Sequence, residues 1–451
     1  MNGIDSAAKS HQQFQSTLQV AALQKHLSDD EINIVCRQLG HVWRDRQLPP
    51  GVTVRSLIYR SLHRDKSIRA VLADLASASQ DSTSEVTDSA WCQARSRLPE
   101  GLLDTLIRRS DSRLNDMVGQ QYSMWERPIF LVDGTTISMP DTPDLIKEFG
   151  RADGKHGFSR FPIARMTIIA RAGVESIFDY RIGPYRQSEE AQLHQMWDDI
   201  GRGAIIMADK KFCSFHILAK LRDKGIAIIV PLHQRRDPAK LISRGRAIGS
   251  DQWIVTFGLP RQSRTKYNDP SLPKRMSVRL IRVRYHRNGK SKQMWLATTL
   301  LDVHRYRCQD IIASYRKRWG VETRIGSVKT TLEMNVLRSK SVAAVAAEVA
   351  ATILAHNLTW TVIHQAAQQT GTPAGRISFA GAIKTILSFS NSLRVTSGPQ
   401  CAKIYHRMLT RIASHTNLDR PGRSEPRLLK RTKRHYRDLK TTRQKAREGL
   451  S

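Results

Sequence analysis

Acidic side chains are scarce in this chain. Its 40 Asp and Glu stand against 73 Lys and Arg, leaving a formal net charge of +33 over 451 residues. That surplus lies outside the balance usual for metabolic enzymes and demands a polyanionic partner. Aromatics are few, at 6%, but hydrophobic residues reach 40%, a globular composition rather than a disordered or fibrous one. Cysteines are few as well. Cys36, Cys92, Cys213, Cys308 and Cys401 form no CxxC pair, so neither a zinc knuckle nor a disulfide framework is expected, only small buried or partly buried side chains. Long uncharged apolar runs are also missing. The most apolar stretch, 342–363, is Ala-rich and carries Glu348, His356 and Asn357, so it reads as a buried helix rather than a membrane span. The opening MNGIDSAAKSHQQF holds no apolar signal core. A cytoplasmic protein with no membrane partner is expected, which leaves nucleic acid as the polyanion. No internal repeat with solenoid spacing is present.

What the chain does contain changes character along its length. From about 17 to 115 the apolar residues recur at three- and four-residue spacing, as in VRSLIYRSLHRDKSIRAVLADLAS and EGLLDTLIRRSDSRLNDMV, which predicts helices. SQDSTSEVTDSA between them reads as a loop leading into a capped helix. A helical bundle with interspersed Arg is a candidate DNA-binding module. After Pro128 come PIFLVDGTT, FPIARMTIIARAG and ESIFDYRIGPY, three strand-like runs separated by turn residues. EEAQLHQMWDDI is helical in period, and AIIMADKKF begins as a buried strand. Strand, strand, strand, helix, strand is the opening order of an RNase H-like fold. Further β-like runs follow, IAIIVPL, QWIVTF, MSVRLIRVRYHR and QMWLATTLL, and then helical spacing returns in DIIASYRKRWGVETRIGSVKTTL. Between 420 and 448, twelve Lys and Arg face three acids, a basic tail.

Two acids close apolar runs. Asp133 follows IFLV and precedes Gly134, and Asp209 follows AIIMA; each is expected at the carboxyl end of a buried strand, where ligands gather in open sheets. Taken singly, an acid after a strand is more often a turn or cap residue. A third position alters the weighing. Tyr315, Arg318, Glu322 and Lys329 stand at offsets of 0, 3, 7 and 14, which puts them within an arc of about 60° on one helix face. Such a stripe is ordinarily a solvated face carrying ion pairs, yet it also supplies what cutting DNA requires: a carboxylate for metal, cations for phosphate and an aromatic. Trp319 lies near the stripe and could stack on an unpaired base, although a helix Trp is more often core. Asp141, Asp144, Asp198 and Asp199 suit loop or surface roles better. His156, His194 and His216 show no ligand spacing with Cys or with one another, so no metal is assigned to them.

YRKRWGVETRIGSVK resembles the YREK signature of bacterial insertion-sequence DDE transposases at every defining position. VDGTTISMPDTP, IGPYRQSE, ADKKFCSF and LATTLLD agree with that family in order, as do ARSRLP and RPGRSEPRLLKR nearer the ends, so the resemblance spans roughly 85–435. Relatives often carry Gly, Ala or Arg with an aromatic after the second aspartate; here the sequence is DKKF, with Phe212 in the aromatic place.

The resemblance implies an α/β fold, an RNase H-like mixed sheet with flanking helices, interrupted by a β-rich insertion and preceded by a helical domain. The expected division is 1–122 helical and DNA-binding, 123–225 the first part of the catalytic core, 226–300 the insertion, 301–370 the second part of the core with the signature helix, and 371–451 a helical and basic C-terminal region. It further implies Asp133, Asp209 and Glu322 as catalytic metal ligands for two Mg²⁺ or Mn²⁺ ions. Tyr315, Arg318 and Lys329 would contact DNA near the element end, where relatives flip a base. The expected substrates are double-stranded terminal inverted repeats and target DNA, bound by a dimer among nucleoid DNA, with a hairpin intermediate if the relatives are a guide. Two rival readings are a nuclease of the same fold that lacks strand transfer and a catalytically silent DNA-binding derivative.

Overall fold

The computed structural model of the protein describes residues 21–24, 26–44, 48–63, 65–76, 86–154, 157–287, 290–316, 331–396 and 398–417. The basic tail lies outside them. A four-residue helical turn, Ala21–Gln24, precedes five longer helices: α1 (Asp29–Gln38), α2 (Pro50–Leu62), α3 (Ile68–Ala76), α4 (Asp88–Ser96) and α5 (Leu102–Val118). Their starts are written in the sequence. Ser28 accepts from the Glu31 amide, Thr87 accepts from the Ala90 amide, and Pro50 opens α2, each meeting or avoiding an orphan N–H of the first turn.

The first long strand, β1 (Ile129–Ser138), pairs antiparallel with β2 (Ile163–Arg171), and β2 pairs antiparallel with β3 (Ile177–Pro184). A short helix, α6 (Pro143–Phe149), lies between β1 and β2, and another, α7 (Glu189–His194), follows β3. Next come β4 (Ile205–Ala208), α8 (Phe215–Asp223) and β5 (Ala227–Pro231), with β4 parallel to both β1 and β5. β6 (Arg246–Gly249), β7 (Gln252–Gly258), helix α9 (Arg261–Tyr267), β8 (Arg275–Arg287) and β9 (Lys290–Thr298) follow. One nine-stranded sheet results, in the order β3-β2-β1-β4-β5-β9-β8-β7-β6. The first five strands reproduce the expected RNase H-like order, and the insertion continues the same sheet because β9 pairs with β5. The boundary expected at 226 therefore falls just before a core strand. IAIIVPL reads as one more β-like run, and only long-range parallel pairing with β4 reveals its place.

The two faces of the central strands are sealed by different cores, as the two-residue period of a strand dictates. Ile129, Leu131, Ile205, Met207 and Ile229 join one cluster with α5, the helix α10 (Cys308–Arg316) and the long helix α11 (Val342–Thr370). Phe130, Val132, Ile206, Ala208, Ile228 and Val230 join a second with Leu193 of α7 and Phe215, Ile217 and Leu218 of α8. We call these the α10 face and the α8 face. All four residues of β4 are buried, as a strand covered on both sides requires.

Helix α11 has the length and hydropathy of a membrane span, but 78% of its most apolar window is buried inside the protein. It packs against α2, α5 and the last helices, α12 (Phe379–Val395) and α13 (Gly398–Ser414). Its polar residues have partners. Glu348 accepts from the Arg338 and Ser339 amides, at 3.1 and 2.9 Å, and Asn357 bonds both the N–H and the C=O of Ile177 at the start of β3. The expected reading of Glu348 and Asn357 as marks of a buried helix holds. Helices α1, α2 and α5 share the first core, whereas Leu72 of α3 and Trp91 of α4 form a third cluster with Val52 and Leu57 of α2 and Ala351 of α11. Two arginines of α2 are held inside, Arg55 paired with Asp29 and Arg60 over the Trp91 ring. Those two are buried rather than offered to DNA. None of the five cysteines is bonded to another.

Candidate active site

Register brings the two strand-borne aspartates together. Val132 of β1 stands opposite Ala208 of β4 in the parallel ladder, so Asp133 and Asp209 are the next residues on neighbouring strands, with backbones about 4.8 Å apart. Alternation then fixes their side. Asp133 follows Leu131, and Asp209 follows Met207, onto the α10 face. Both are half-buried. The Gly134 amide donates to Asp133 Oδ1 at 2.8 Å, and the Lys210 amide donates to Asp209 Oδ1 at 2.6 Å.

One detail differs from the expectation. Asp133 does not close its strand at a turn, because β1 runs on to Ser138. It is β4 that stops, after Ala208, while β1 runs on paired with β2 and ends at Ser138 in a bridge to Val336. The end of the run PIFLVDGTT belongs to the strand: Thr135 and Thr136 pair with Met166 and Arg165 and suit a strand as β-branched residues do. Gly134 has another reason to be glycine. A Cβ there would lie 2.2 Å from Cδ of Glu189.

Glu189 is an acid to which the sequence reading gave no role. It is the first residue of α7, and its carboxylate packs under Gly134, hence on the α8 face, opposite the aspartates. Arg165 Nη1 at 3.0 Å and Lys211 Nζ at 3.3 Å neutralise it. The signal available was the string QSEE, a serine cap with acids in the first turn.

Tyr315 lies on α10, 5% exposed, and its hydroxyl donates to the Ala208 carbonyl at 3.4 Å, immediately before Asp209. The start of the signature helix thus rests against the end of β4. Arg318, Trp319, Glu322 and Lys329 fall within 317–330, outside the described residues. The chain after that interval returns to β1: Ser138 N–H donates to Asn335 O at 3.0 Å, and Leu337 N–H donates to Ser138 O at 2.8 Å. Both ends of the signature segment are therefore anchored beside the strands that carry Asp133 and Asp209.

The competing acids have other work. Asp141 pairs with Arg151, Asp198 with Lys224 and Asp199 with Arg108, while Asp144 is exposed in the first turn of α6. In the basic turn after β5, Arg236 stacks 3.9 Å over Phe257 instead of pointing only at solvent. Burial, with Arg235, Arg236 and Lys210 nearby, holds His233 below the usual imidazole value. Histidines expected to stand apart are in part together: the rings of His194 and His216 lie 4.6 Å apart. His156 is outside the described residues.

Comparisons with known proteins point to one kind of enzyme. The family described as the transposase DDE domain matches residues 124–358, and that described as the insertion element 4 transposase N-terminal matches 17–108. The transposase InsG for insertion sequence element IS4 of Escherichia coli strain K12 is 22% identical over 360 residues, 78% of this chain and 79% of that protein. InsZ of the same strain, named provisionally as a transposase, is 29% identical over 141 residues, 30% of this chain and 46% of that protein.

Proposed function

This chain belongs to the DDE transposase family, and from that membership we propose that Asp133, Asp209 and Glu322 form its catalytic carboxylate set. It is an insertion-sequence transposase, an enzyme that acts on DNA and depends on a divalent metal. The observation that carries the assignment of residues is the β1/β4 register, which turns Asp133 and Asp209 onto one face at adjacent positions. α10 approaches that face, with Tyr315 against the last residue of β4. Glu322, seven residues after Tyr315 in the signature, is the family's third carboxylate by its spacing.

An all-carboxylate set suits hard cations, and two Mg²⁺ or Mn²⁺ ions are the expected occupants. Such ions, when bound, activate a nucleophile and stabilise the leaving oxygen of an in-line displacement. The chain's own part is to hold the three carboxylates on rigid elements and to grip DNA around them. Water attacks the phosphodiester at an element end, and the bond to the 3′ oxygen breaks, leaving a 3′-OH and a 5′-phosphate. That hydroxyl next attacks the opposite strand to give a hairpin, and after the hairpin is opened it attacks target DNA. Each transfer forms one ester as it breaks another, with no covalent enzyme intermediate.

Arg318 and Lys329 neutralise phosphate near the cut, and Trp319 stacks on an unpaired base. Tyr315, held against β4, positions the helix as well as standing near the DNA. The substrates are double-stranded terminal repeats and target, bound by a dimer that holds both ends, and the site of action is cytoplasmic nucleoid DNA.

The test is a reaction containing the protein, DNA with the element's terminal repeats, Mg²⁺ and a target plasmid. Integration is the expected result. Cutting without joining would make the protein a nuclease, and retardation alone a binder. Asp133→Asn, Asp209→Asn and Glu322→Gln should each abolish cutting while binding persists, and full strand transfer by any of them would sink the assignment.

A further inference from the structure

Away from the acid pair, the structure gathers a second set of ligating side chains. Glu190 and His194 on α7 and His216 on α8 each offer one ligand atom, and these atoms all lie within 4.8 Å of one another. We propose that the three bind a single transition-metal ion of the zinc class, at a site separate from the catalytic carboxylates.

Local structure accounts for the convergence. Glu190 and His194 are four apart on α7 and so share one helix face. His216 is the second residue of α8. Leu193 beside His194, and Phe215 and Ile217 beside His216, are buried in the same α8-face core, which fixes the two helices against each other. Ligand atoms around a tetrahedral zinc lie about 3.3 Å apart, so side-chain rotation alone closes the set.

The surroundings suit an ion. Ser214 Oγ donates to Glu190 Oε1, the kind of outer contact that orients a ligating carboxylate. Trp197 stacks on His194 at 4.2 Å, and Tyr267 of α9 stacks on His216 at 3.8 Å with an interplanar angle of 13°. The aromatic walls fix both imidazoles and limit solvent. Two imidazoles and one carboxylate are a zinc donor set that leaves a fourth position for water. They differ in kind from the all-oxygen set on the other face, which favours Mg²⁺ or Mn²⁺.

The consequence is structural. An ion here ties α7 to α8, with α9 of the insertion stacked on one ligand, and α7 begins with the glutamate that packs under Gly134. Binding should stabilise the fold by mass action rather than take part in DNA chemistry.

The experiment uses the untagged full chain, stripped with chelator, dialysed against Zn²⁺ and then against metal-free buffer. Bound zinc is measured by elemental analysis, and Co²⁺ loading is followed by its visible absorption. About one zinc per chain is expected, retained by the Asp133→Asn/Asp209→Asn/Glu322→Gln variant and accompanied by a rise in Tm. His194→Gln and His216→Gln should bind at least about tenfold more weakly and lose the zinc-dependent rise in Tm. Circular dichroism without metal establishes that the variants fold; should one unfold, Glu190→Gln supplies the same reading. No retained zinc in the wild type, equal retention by the histidine variants, or loss of zinc only when the three catalytic acids are replaced would each overturn the site.

Discussion

The two faces of the β1–β4 strand pair meet acids at neighbouring positions of β1, Asp133 on one side and Glu189 beneath Gly134 on the other, yet treat them oppositely. On the α10 face Asp133 and Asp209 lie side by side at the point where β4 ends, each taking a hydrogen bond from the amide that follows it. On the α8 face Glu189 is 8% exposed and compensated by Arg165 and Lys211. A carboxylate locked between two cations is part of the packing, since removing either partner leaves a buried charge. Two carboxylates held adjacent on neighbouring strands repel each other, and that arrangement becomes favourable once a cation lies between them. The same strands thus serve stability with one face and, on the proposed assignment, chemistry with the other.

The largest effects should separate the faces cleanly. Asp133→Asn or Asp209→Asn is expected to lower cleavage by roughly three orders of magnitude, about 4 kcal/mol in the barrier, with Tm unchanged or raised because like charges are separated. A fall in Tm of several degrees would mean that the aspartates hold the fold and would erase the contrast. Gly134→Ala should do the reverse. Its methyl meets Glu189 Cδ at 2.2 Å, and displacing a buried, doubly paired carboxylate is expected to cost about 3 kcal/mol in chemical denaturation, the upper range for overpacking. Denaturation unchanged within about 0.5 kcal/mol would show that α7 yields without cost.

How much of this was legible in the sequence depended on whether the interaction was local. Apolar runs located β1, β2, β3 and β4 and the strands β5, β7, β8 and β9, but not the short and mostly exposed β6, and the YREK spacing singled out one helix. The side on which Asp133 and Asp209 emerge follows from alternation once the strands are known. What could not be read was pairing. Ala227–Pro231 looks like any other strand of the insertion until β4 is found beside it, and Gly134 looks like a turn until Glu189 is found beneath it. The Glu190–His194 spacing was readable as one helix turn, whereas His216 reaches them only through the packing of α8. Tyr315 was read by its family position as a DNA contact, and the structure gives it a backbone partner on β4 as well. Glu322 rests on the signature alone.

In the insertion the faces differ in burial, and the order is reversed: β8 presents two arginines five residues apart on opposite sides, the buried one toward the α10-face core. Arg279 is fully buried, on the side of Ile281 and the α10-face core. Its Nη1 donates to Tyr306 O at 2.7 Å and its other Nη donates to Gln252 Oε1. It therefore ties the insertion to the turn that leads into α10. Arg279→Met keeps the volume but leaves buried carbonyl oxygens without a donor, at an expected cost of about 2 kcal/mol, and cleavage should fall with it as α10 loosens. Equal stability with normal cleavage would detach the insertion from the site.

Arg284 makes the opposite case, and the smallest effect. Its guanidinium reaches Asp251 Oδ1 at 3.3 Å from a side chain that is 62% exposed, and Arg282 already holds the same oxygen at 2.6 Å. An exposed pair in water gains little, because solvent and salt screen it and two long side chains must be ordered to make it. With a second arginine in place, Asp251 is not stranded when the first is removed. Arg284→Ala should therefore change stability by less than about 0.5 kcal/mol, and the difference from Arg279→Met should persist in 1 M salt, where surface pairs are quenched. If Arg284→Ala proved as damaging as Arg279→Met, burial would not be what distinguishes the two sides of β8.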